Sequence, residues 1–231
     1  MIELLQFRPA FGLMNASPFC MKVEVFLRLA ELEYRCANDA LPMRTPKGKL
    51  PVIRDGELLV ADSQAIIVHL QQHAERIPPA LRAPETAQAL ALRRTLEESC
   101  YFALLWLRWI DEPGWQLTAP AFFGHLPWPL RSLVPWIVRR KMRRDLQGQG
   151  MGRHSRDEIC ARAVADLRAT SELLDTQAFF GGESPAAIDA TAYAFLANVL
   201  WVPIDNPVKA QALQLPRLAG YCERMQGLVG R

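Results

Sequence analysis

The sequence predicts a chain in two parts, a small α/β unit followed by an all-helical unit. Strand and helix patterns alternate over residues 1–76, and the strand patterns then stop. Residues 77–84 hold three prolines in eight positions, which is typical of a linker because proline interrupts both helices and strands. Long helical patterns follow, including Glu85–Ile110 and Ser155–Thr176. We therefore predict an α/β domain in 1–76, a linker in 77–84 and a helical domain in 85–231.

Each element of the α/β unit has its own local pattern. Four short apolar stretches predict strands, at Ile2–Phe7, Tyr34–Ala37, Lys49–Arg54 and Glu57–Ala61. Asp55 and Gly56 separate the last two stretches and form the strongest hairpin signal in the chain. Helices are predicted at Pro18–Glu31 and from Asp62 or Ser63 to about Glu75. This order predicts a small mixed sheet with helices on its faces.

In the helical unit, two further helices are predicted over Pro185–Leu200 and Leu215–Leu228. Ser155 and Glu158 have the spacing of a capping box, in which each residue satisfies a free backbone N–H of the other. A helix is therefore expected to begin directly after Ser155.

The composition is that of an ordinary globular protein. Together with the motifs it argues against a nucleic-acid-binding, a secreted, a membrane-spanning and a metal-binding protein. Half of the residues are hydrophobic and 22% are charged, while the net charge of +3 is too small to indicate nucleic-acid binding. We expect no secretory signal, and each apolar run is interrupted before the ~20 residues that a membrane span needs. The five cysteines lack C-x-x-C spacing, which favours a reducing compartment, the cytoplasm. His69 and His73 have no evident third ligand, so we expect no metal site.

The most informative stretch begins at Ser17, which follows the first strand and precedes an apolar helix. Ser17 is placed as the N-cap and Pro18 as the first helical residue, where its missing N–H costs nothing. Free backbone N–H groups and the positive end of the helix dipole make this helix start a site for an anion. We interpret that anion as a thiolate, which the Ser17 hydroxyl would stabilise. The alternative is that Ser17 only caps the helix.

Three motifs, taken together and in this order, resemble the cytosolic glutathione transferase superfamily. Ser17-Pro18-Phe19 is similar to its serine-type active-site turn, particularly that of the tau class. Lys49–Ile53 is similar to the strand that carries its cis-proline, and Ala61-Asp62-Ser63 to its acidic-Ser motif. Gly150–Ser155 further resembles the branch of failed axon connections and the metaxins. The resemblance implies a thioredoxin-like domain followed by a helical domain, a homodimer and a role in detoxification.

The resemblance also implies a set of glutathione-binding residues, Lys49, Leu50, Pro51, Asp62 and Ser63. A cis bond before Pro51 would let the backbone of Leu50 pair with the peptide of glutathione. Asp62 and Ser63 would receive the ammonium and carboxylate of the γ-glutamyl group, the alternative being a plain helix cap. Lys49 would meet the glycyl carboxylate, although a solvated loop charge is nearly as well supported.

The electrophile that glutathione attacks would bind to aromatic residues of the helical domain, for which Tyr101, Trp106 and Trp109 are candidates. Helix packing explains these aromatics equally well. Residues 122–144 combine aromatics with six basic residues, and we favour a roof over this pocket rather than contact with a membrane.

One motif departs from the family pattern, which has Ser/Thr-x-x-Asp at the start of a helix. Asp189 matches the acid, but Ala186 replaces the hydroxyl, and Ser184 is the alternative cap.

Three functions remain open from the sequence. The first is a transferase that activates glutathione beside Ser17 for attack on a small apolar electrophile. The second is a non-catalytic binding or adaptor protein of the same fold. The third is a glutathione-dependent reductase that uses Cys20, although a buried core cysteine is the favoured interpretation of that residue because position 17 holds no second thiol.

Overall fold

The computed structural model describes residues 1–72 and 77–230 of the chain. Within these residues one sheet contains the strands β1 (Ile2–Leu5), β2 (Tyr34–Ala37), β3 (Val52–Asp55) and β4 (Leu58–Ala61). The strand order is β2-β1-β3-β4, with β1 parallel to β2 and the other two pairs antiparallel. The predicted mixed sheet is confirmed. β3 begins later than predicted because Pro51, which has no N–H, precedes it.

Two helices complete this part of the chain. Helix α1 (Pro18–Leu29) packs against helix α2 (Ser63–Gln72), and α2 also contacts β3 and β4. The predicted extension of the second helix to Glu75 lies outside the described residues. Between β2 and β3 there is only a short 3₁₀ turn at Pro42–Arg44.

The remaining chain is helical, as predicted. Its helices are α3 (Pro79–Arg82), α4 (Ala87–Arg94), α5 (Tyr101–Trp109), α6 (Glu112–Phe123), α7 (Leu130–Gln149), α8 (Arg156–Leu174), α9 (Ala187–Leu200), α10 (Pro207–Ala212) and α11 (Pro216–Val229). A π-helical turn, Thr95–Cys100, joins α4 to α5, so the long predicted helix is continuous but locally wider. The capping box of α8 is confirmed, since Ser155 and Glu158 each bind the other's backbone N–H. Among the described helices, none combines the length and the apolar character required to cross a bilayer.

Helix α9 is the centre of the core and joins the two parts of the chain. Ile188–Leu200 is buried throughout, and α1 packs along this helix. Near the end of the chain, Gly230 accepts a hydrogen bond of 2.8 Å from the Tyr193 hydroxyl. Because α1 packs against α2 of the first part and against α9 of the second, it lies at the junction of the two parts.

The start of α9 is held by a carboxylate instead of a hydroxyl. Asp189 accepts hydrogen bonds from three backbone N–H groups, at 2.8 Å from Phe180, 3.0 Å from Gly181 and 2.9 Å from Ala186. The alternative cap, Ser184, is wrong because the helix begins at Ala187, with Ala186 in the N-cap position. Ala186 supplies no side-chain cap, and the carboxylate of Asp189 instead closes the preceding loop onto the start of the helix.

Candidate functional site

Ser17 occupies the N-cap position of α1, as the sequence predicts. Its Oγ accepts a hydrogen bond of 3.4 Å from the backbone N–H of Cys20, and its carbonyl accepts from Met21 at 2.9 Å. Accepting the Cys20 bond uses a lone pair of the Ser17 hydroxyl, so the hydroxyl can still donate its own proton, either to the neighbouring Cys20 sulfur or to a bound thiolate. Pro18 follows as the first helical residue. A partly exposed O–H donor therefore lies at the positive end of the α1 dipole, where negative charge is stabilised.

Buried polar groups fix the turn that carries Ser17. The Asn15 side chain donates to the carbonyl of Phe7 at 2.7 Å and accepts from the Ser17 N–H at 2.9 Å. From α9, the Asn198 side chain donates to the carbonyl of Asn15 at 3.4 Å. These contacts tie the serine to the end of β1 and to the centre of the core. Asn15 was not among the predicted site residues, although an asparagine two residues before an N-cap is a local signal for such a contact.

Arg108 brings a buried positive charge to the same turn. It donates to the carbonyl of Ala16 at 2.5 Å and to Asn198 Oδ1 at 3.1 Å, and its guanidinium carbon lies 5.6 Å from the centre of the Phe11 ring. Burial lowers the pKa of Arg108 to about 10, so that the group stays charged at neutral pH. In the described part of the chain no carboxylate pairs with Arg108, whose charge therefore adds to the attraction of this site for an anion.

The strand that begins after Pro51 lies next to the first turn of α1. The Leu50–Pro51 peptide bond is cis. Leu50 and Val52 pack with Cys20 in one small apolar cluster, which places the backbone before Pro51 beside the Ser17 turn. The structure thus brings together two of the three motifs on which the resemblance rests, the Ser17 turn and the strand with the cis-proline.

Cys20 is fully buried in that cluster. Its burial raises the pKa of the thiol to about 12, against a smaller opposing effect of the hydrogen bond with Ser17. A thiol with this pKa is almost entirely protonated at neutral pH and is a poor nucleophile. The geometry agrees with the core role that the sequence analysis favoured for Cys20.

Asp62 and Ser63 lie at the start of α2, adjacent to the cis-proline strand. Val52 pairs with Ala61 in the sheet, so that Asp62 lies opposite Pro51. Asp62 Oδ1 accepts from the N–H groups of Gln64 at 3.0 Å and of Ala65 at 3.1 Å, and the residue therefore caps the helix.

The backbone of Asp62 is left-handed, with φ of 95°, a strained conformation that is typical of functional sites. Ser63 is buried beside it, whereas the side chain of Lys49 is exposed in the preceding loop. The start of α2 thus combines a helix cap with an exposed carboxylate, next to the strand that follows the cis-proline.

Of the three aromatic candidates, only Tyr101 lies beside the Ser17 turn. Its ring is 4.8 Å from that of Phe19, two residues after Ser17. Trp106 packs against the main core. Trp109 belongs to a separate cluster with Phe122 and Phe123 of α6, at ring distances of 5.6 and 6.2 Å.

That second cluster reaches the loop between β1 and α1. Phe11 of this loop lies 6.1 Å from Phe122. The aromatic residues of α6 therefore cover the loop that leads to Ser17. Phe11 could not be predicted from the sequence, because a single aromatic residue in a loop has no distinguishing pattern.

The contact of His69 agrees with the expectation that this histidine is not a metal ligand. His69 Nε2 lies 3.0 Å from the carboxylate of Asp55, and His73 lies outside the described residues. Over residues 1–72 and 77–230, no group of three or more potential ligands could hold a metal ion.

We compared the chain with known protein families and with known proteins, and the matches agree with one another. A family model described as the glutathione S-transferase N-terminal domain matches residues 18–114, and one described as the C-terminal domain matches 163–225. The chain is 31% identical to an isoprene-epoxide–glutathione S-transferase of Rhodococcus sp. (strain AD45), with 98% of both chains covered. It is 29% identical to Failed axon connections of Drosophila melanogaster, over 97% of this chain and 57% of that protein.

More distant similarities show the same fold. Human Metaxin-2 is 22% identical over 93% of this chain and 82% of its own length. A glutathione S-transferase of Ceriporiopsis subvermispora, solved in complex with glutathione, superimposes with a TM-score of 0.64 at 19% identity, covering 99% of this chain and 96% of that one.

Proposed function

Because the chain belongs to the glutathione S-transferase superfamily, we propose that it binds glutathione beside Ser17 and transfers it to a small apolar electrophile. The observation that carries this proposal is the Ser17 hydroxyl, which keeps its proton available for donation at the N-terminus of α1. The charged guanidinium of Arg108, one residue away from Ser17 through the carbonyl of Ala16, supports it.

The stabilisation available at Ser17 is large enough for the chemistry. A free thiol has a pKa of about 8.5, and lowering it by about two units requires roughly 2.7 kcal/mol of preference for the thiolate. A hydroxyl hydrogen bond to a charged sulfur supplies about 1.5–3 kcal/mol. A helix N-terminus adds about 0.3–1 kcal/mol. A general base is therefore not required.

The rest of glutathione would extend from the Ser17 turn, past the strand that begins after Pro51, to the start of α2. The backbone of Leu50, next to the cis bond, would pair with the peptide of the cysteinyl residue. The exposed carboxylate of Asp62 would attract the γ-glutamyl ammonium, and Ser63 with the α2 N-terminus would receive the carboxylate. Lys49 would reach the glycyl carboxylate from the loop before the strand.

Small epoxides are the class of electrophile that the similarity to the Rhodococcus enzyme favours. The thiolate would attack a ring carbon, the carbon–oxygen bond would break, and the released oxygen would take up a proton. Tyr101 is a candidate donor, because burial raises its pKa to about 12 and keeps the phenol protonated at neutral pH. The phenol is still more acidic than the alcohol that forms.

The experiment that tests the proposal measures kcat/KM with glutathione and a small epoxide. Loss of one charge-assisted hydrogen bond in Ser17→Ala is expected to lower kcat/KM about 10- to 100-fold and to raise the pH at which the rate is half-maximal. Ser155→Ala is the matched control, since it removes an equivalent cap from α8, outside the site. Full activity of Ser17→Ala would contradict the assigned role of the hydroxyl.

An adaptor function is the second candidate, and the similarity to Failed axon connections and the metaxins favours it. In that case titration calorimetry would detect no binding of glutathione at millimolar concentration. The reductase alternative has less support because Cys20 is fully buried. Disulfide reduction that disappears in Cys20→Ala would restore it.

A further inference from the structure

The segment 122–144 has two parts: its first residues pack against the protein, and the large apolar residues that follow are exposed to solvent. Phe122 and Phe123 pack against Trp109, as a roof would. Beyond them, five large apolar side chains are between 44% and 81% exposed. They are Trp128, Leu130, Leu133, Trp136 and Ile137. Isolated exposed apolar residues are common on proteins, but a contiguous group of this size indicates an interaction surface.

These apolar residues continue into a row of cations along α7. Positions 130, 133, 137, 140 and 144 recur at intervals of three and four residues and therefore share one side of the helix. We call this side, together with Trp128, Trp136 and Arg143, the outer face. Its first half is apolar and its second half is cationic, over a length of about 21 Å.

The opposite side of α7 explains why the outer face points away from the fold. Pro135 and Leu146 are buried on that side. Arg139 donates to the carbonyls of Trp109 and Ile110 at 3.0 and 2.9 Å, which fixes the rotation of the helix. The exposure of the outer face is thus a consequence of specific packing.

The cations of the outer face are not neutralised by neighbouring acids. Between residues 124 and 149 the only acid is Asp145, and it pairs with Lys141. Arg140, Arg143 and Arg144 are exposed and form no ion pair with the described residues. Arg140 lies 5.5 Å from the ring centre of Trp136, which joins the cationic half to the apolar half.

We propose that the outer face docks on the surface of an anionic lipid bilayer. Exposed leucine, isoleucine and tryptophan side chains on a helix suit the boundary between headgroups and acyl chains, where tryptophan is enriched. Unpaired arginines at one end suit lipid phosphates. The helix would lie tilted, with Leu130 deepest and Arg144 at the phosphates. The residues that hold the Ser17 turn, namely Asn15, Arg108 and Asn198, are not part of the outer face, so this inference does not depend on the transferase proposal.

Sedimentation with lipid vesicles tests this inference. The full chain is expected to pellet with phosphatidylcholine vesicles that contain phosphatidylserine, to remain in solution with phosphatidylcholine alone, and to be released by added salt. Each arginine contributes about fivefold to such partitioning, so the triple variant Arg140→Gln, Arg143→Gln, Arg144→Gln should bind about a hundredfold less. Leu133→Ser and Ile137→Ser should each weaken binding about tenfold.

The matched control removes the same charge elsewhere. Arg82, Arg162 and Arg217 are exposed and lie outside the hairpin of α6 and α7, so their triple substitution with glutamine should leave most of the binding intact. Because all the replaced side chains are exposed, thermal melting should confirm that both triple variants stay folded. No pelleting with anionic vesicles, or equal loss in both triple variants, would overturn the inference. Self-association that disappears in the outer-face variants, without lipid binding, would assign the face to a second copy and also overturn it.

Discussion

Replacing Asp189 with alanine should reveal how much a single buried carboxylate contributes to the stability of this chain. The carboxylate is inaccessible and accepts three backbone N–H groups from the loop that precedes α9. Alanine would leave all three donors without their acceptor. α1 packs against α9, so the substitution should destabilise the centre of the core.

The magnitude follows from these contacts. A hydrogen bond to a charged group contributes about 1.5–3 kcal/mol, and a buried donor that loses its partner costs about 1–3 kcal/mol. Water can reach part of the loop, so the three losses do not add fully. We expect the free energy of unfolding to fall by about 3–5 kcal/mol, a large part of the 5–15 kcal/mol typical of folded domains. Asp189→Asn keeps an acceptor oxygen without the charge and should lose about half as much.

Urea denaturation followed by circular dichroism and by tryptophan fluorescence provides the measurement, and agreement of the two probes tests two-state behaviour. Ser184→Ala is the matched control, because Ser184 does not cap the helix, and it should change stability by less than about 0.5 kcal/mol. A loss below about 1 kcal/mol in Asp189→Ala would refute the reasoning. So would a loss in Ser184→Ala of the same size as that in Asp189→Ala.

Two further predictions concern close packing and thiol reactivity. Gly114→Ala places a Cβ 1.9 Å from the carbonyl oxygen of Leu107, so thermal melting should show a loss of about 3 kcal/mol or more, whereas Gly148→Ala, with open space around it, should gain about 0.5–1 kcal/mol. Alkylation of the folded protein followed by mass spectrometry should label mainly Cys36, the exposed cysteine. Its pKa is raised to about 11, chiefly by partial burial, so labelling should be slow at pH 8 and accelerate about tenfold per pH unit. Rapid labelling of Cys20 would contradict its buried role.

Helix caps and turns could be predicted from the sequence, because each residue and its hydrogen-bond partner are close in the chain. Ser17 as an N-cap followed by Pro18 and the Ser155 capping box depend on contacts within three residues. The hairpin is equally local, although its two-residue turn is Gly56-Glu57 and not the predicted Asp55-Gly56, because Asp55 still pairs with Leu58. Gly56 adopts the left-handed backbone that this turn requires. In these cases the side chain itself specifies the local hydrogen bond.

Contacts between distant residues could not be predicted in this way. Arg108 contacts the carbonyl of Ala16 across 92 positions of sequence. The fully buried Lys22 bonds to Glu97 at 2.7 Å across 75 positions, although a lysine on a helix is ordinarily expected to face solvent. Neither pair has a periodic or local signature, because each depends on how α1 and the helical part pack together.

The amino-acid sequence by itself determined the order of strands and helices and the placement of a hydroxyl at the first turn of α1, since these follow from local hydrogen bonding and from the spacing of apolar residues. Only the tertiary structure decided which charge lies beside that turn and which face of α7 stays uncovered. The physical reason is that burial and electrostatic environment depend on every element packed around a residue, and segments far apart in the chain supply those elements.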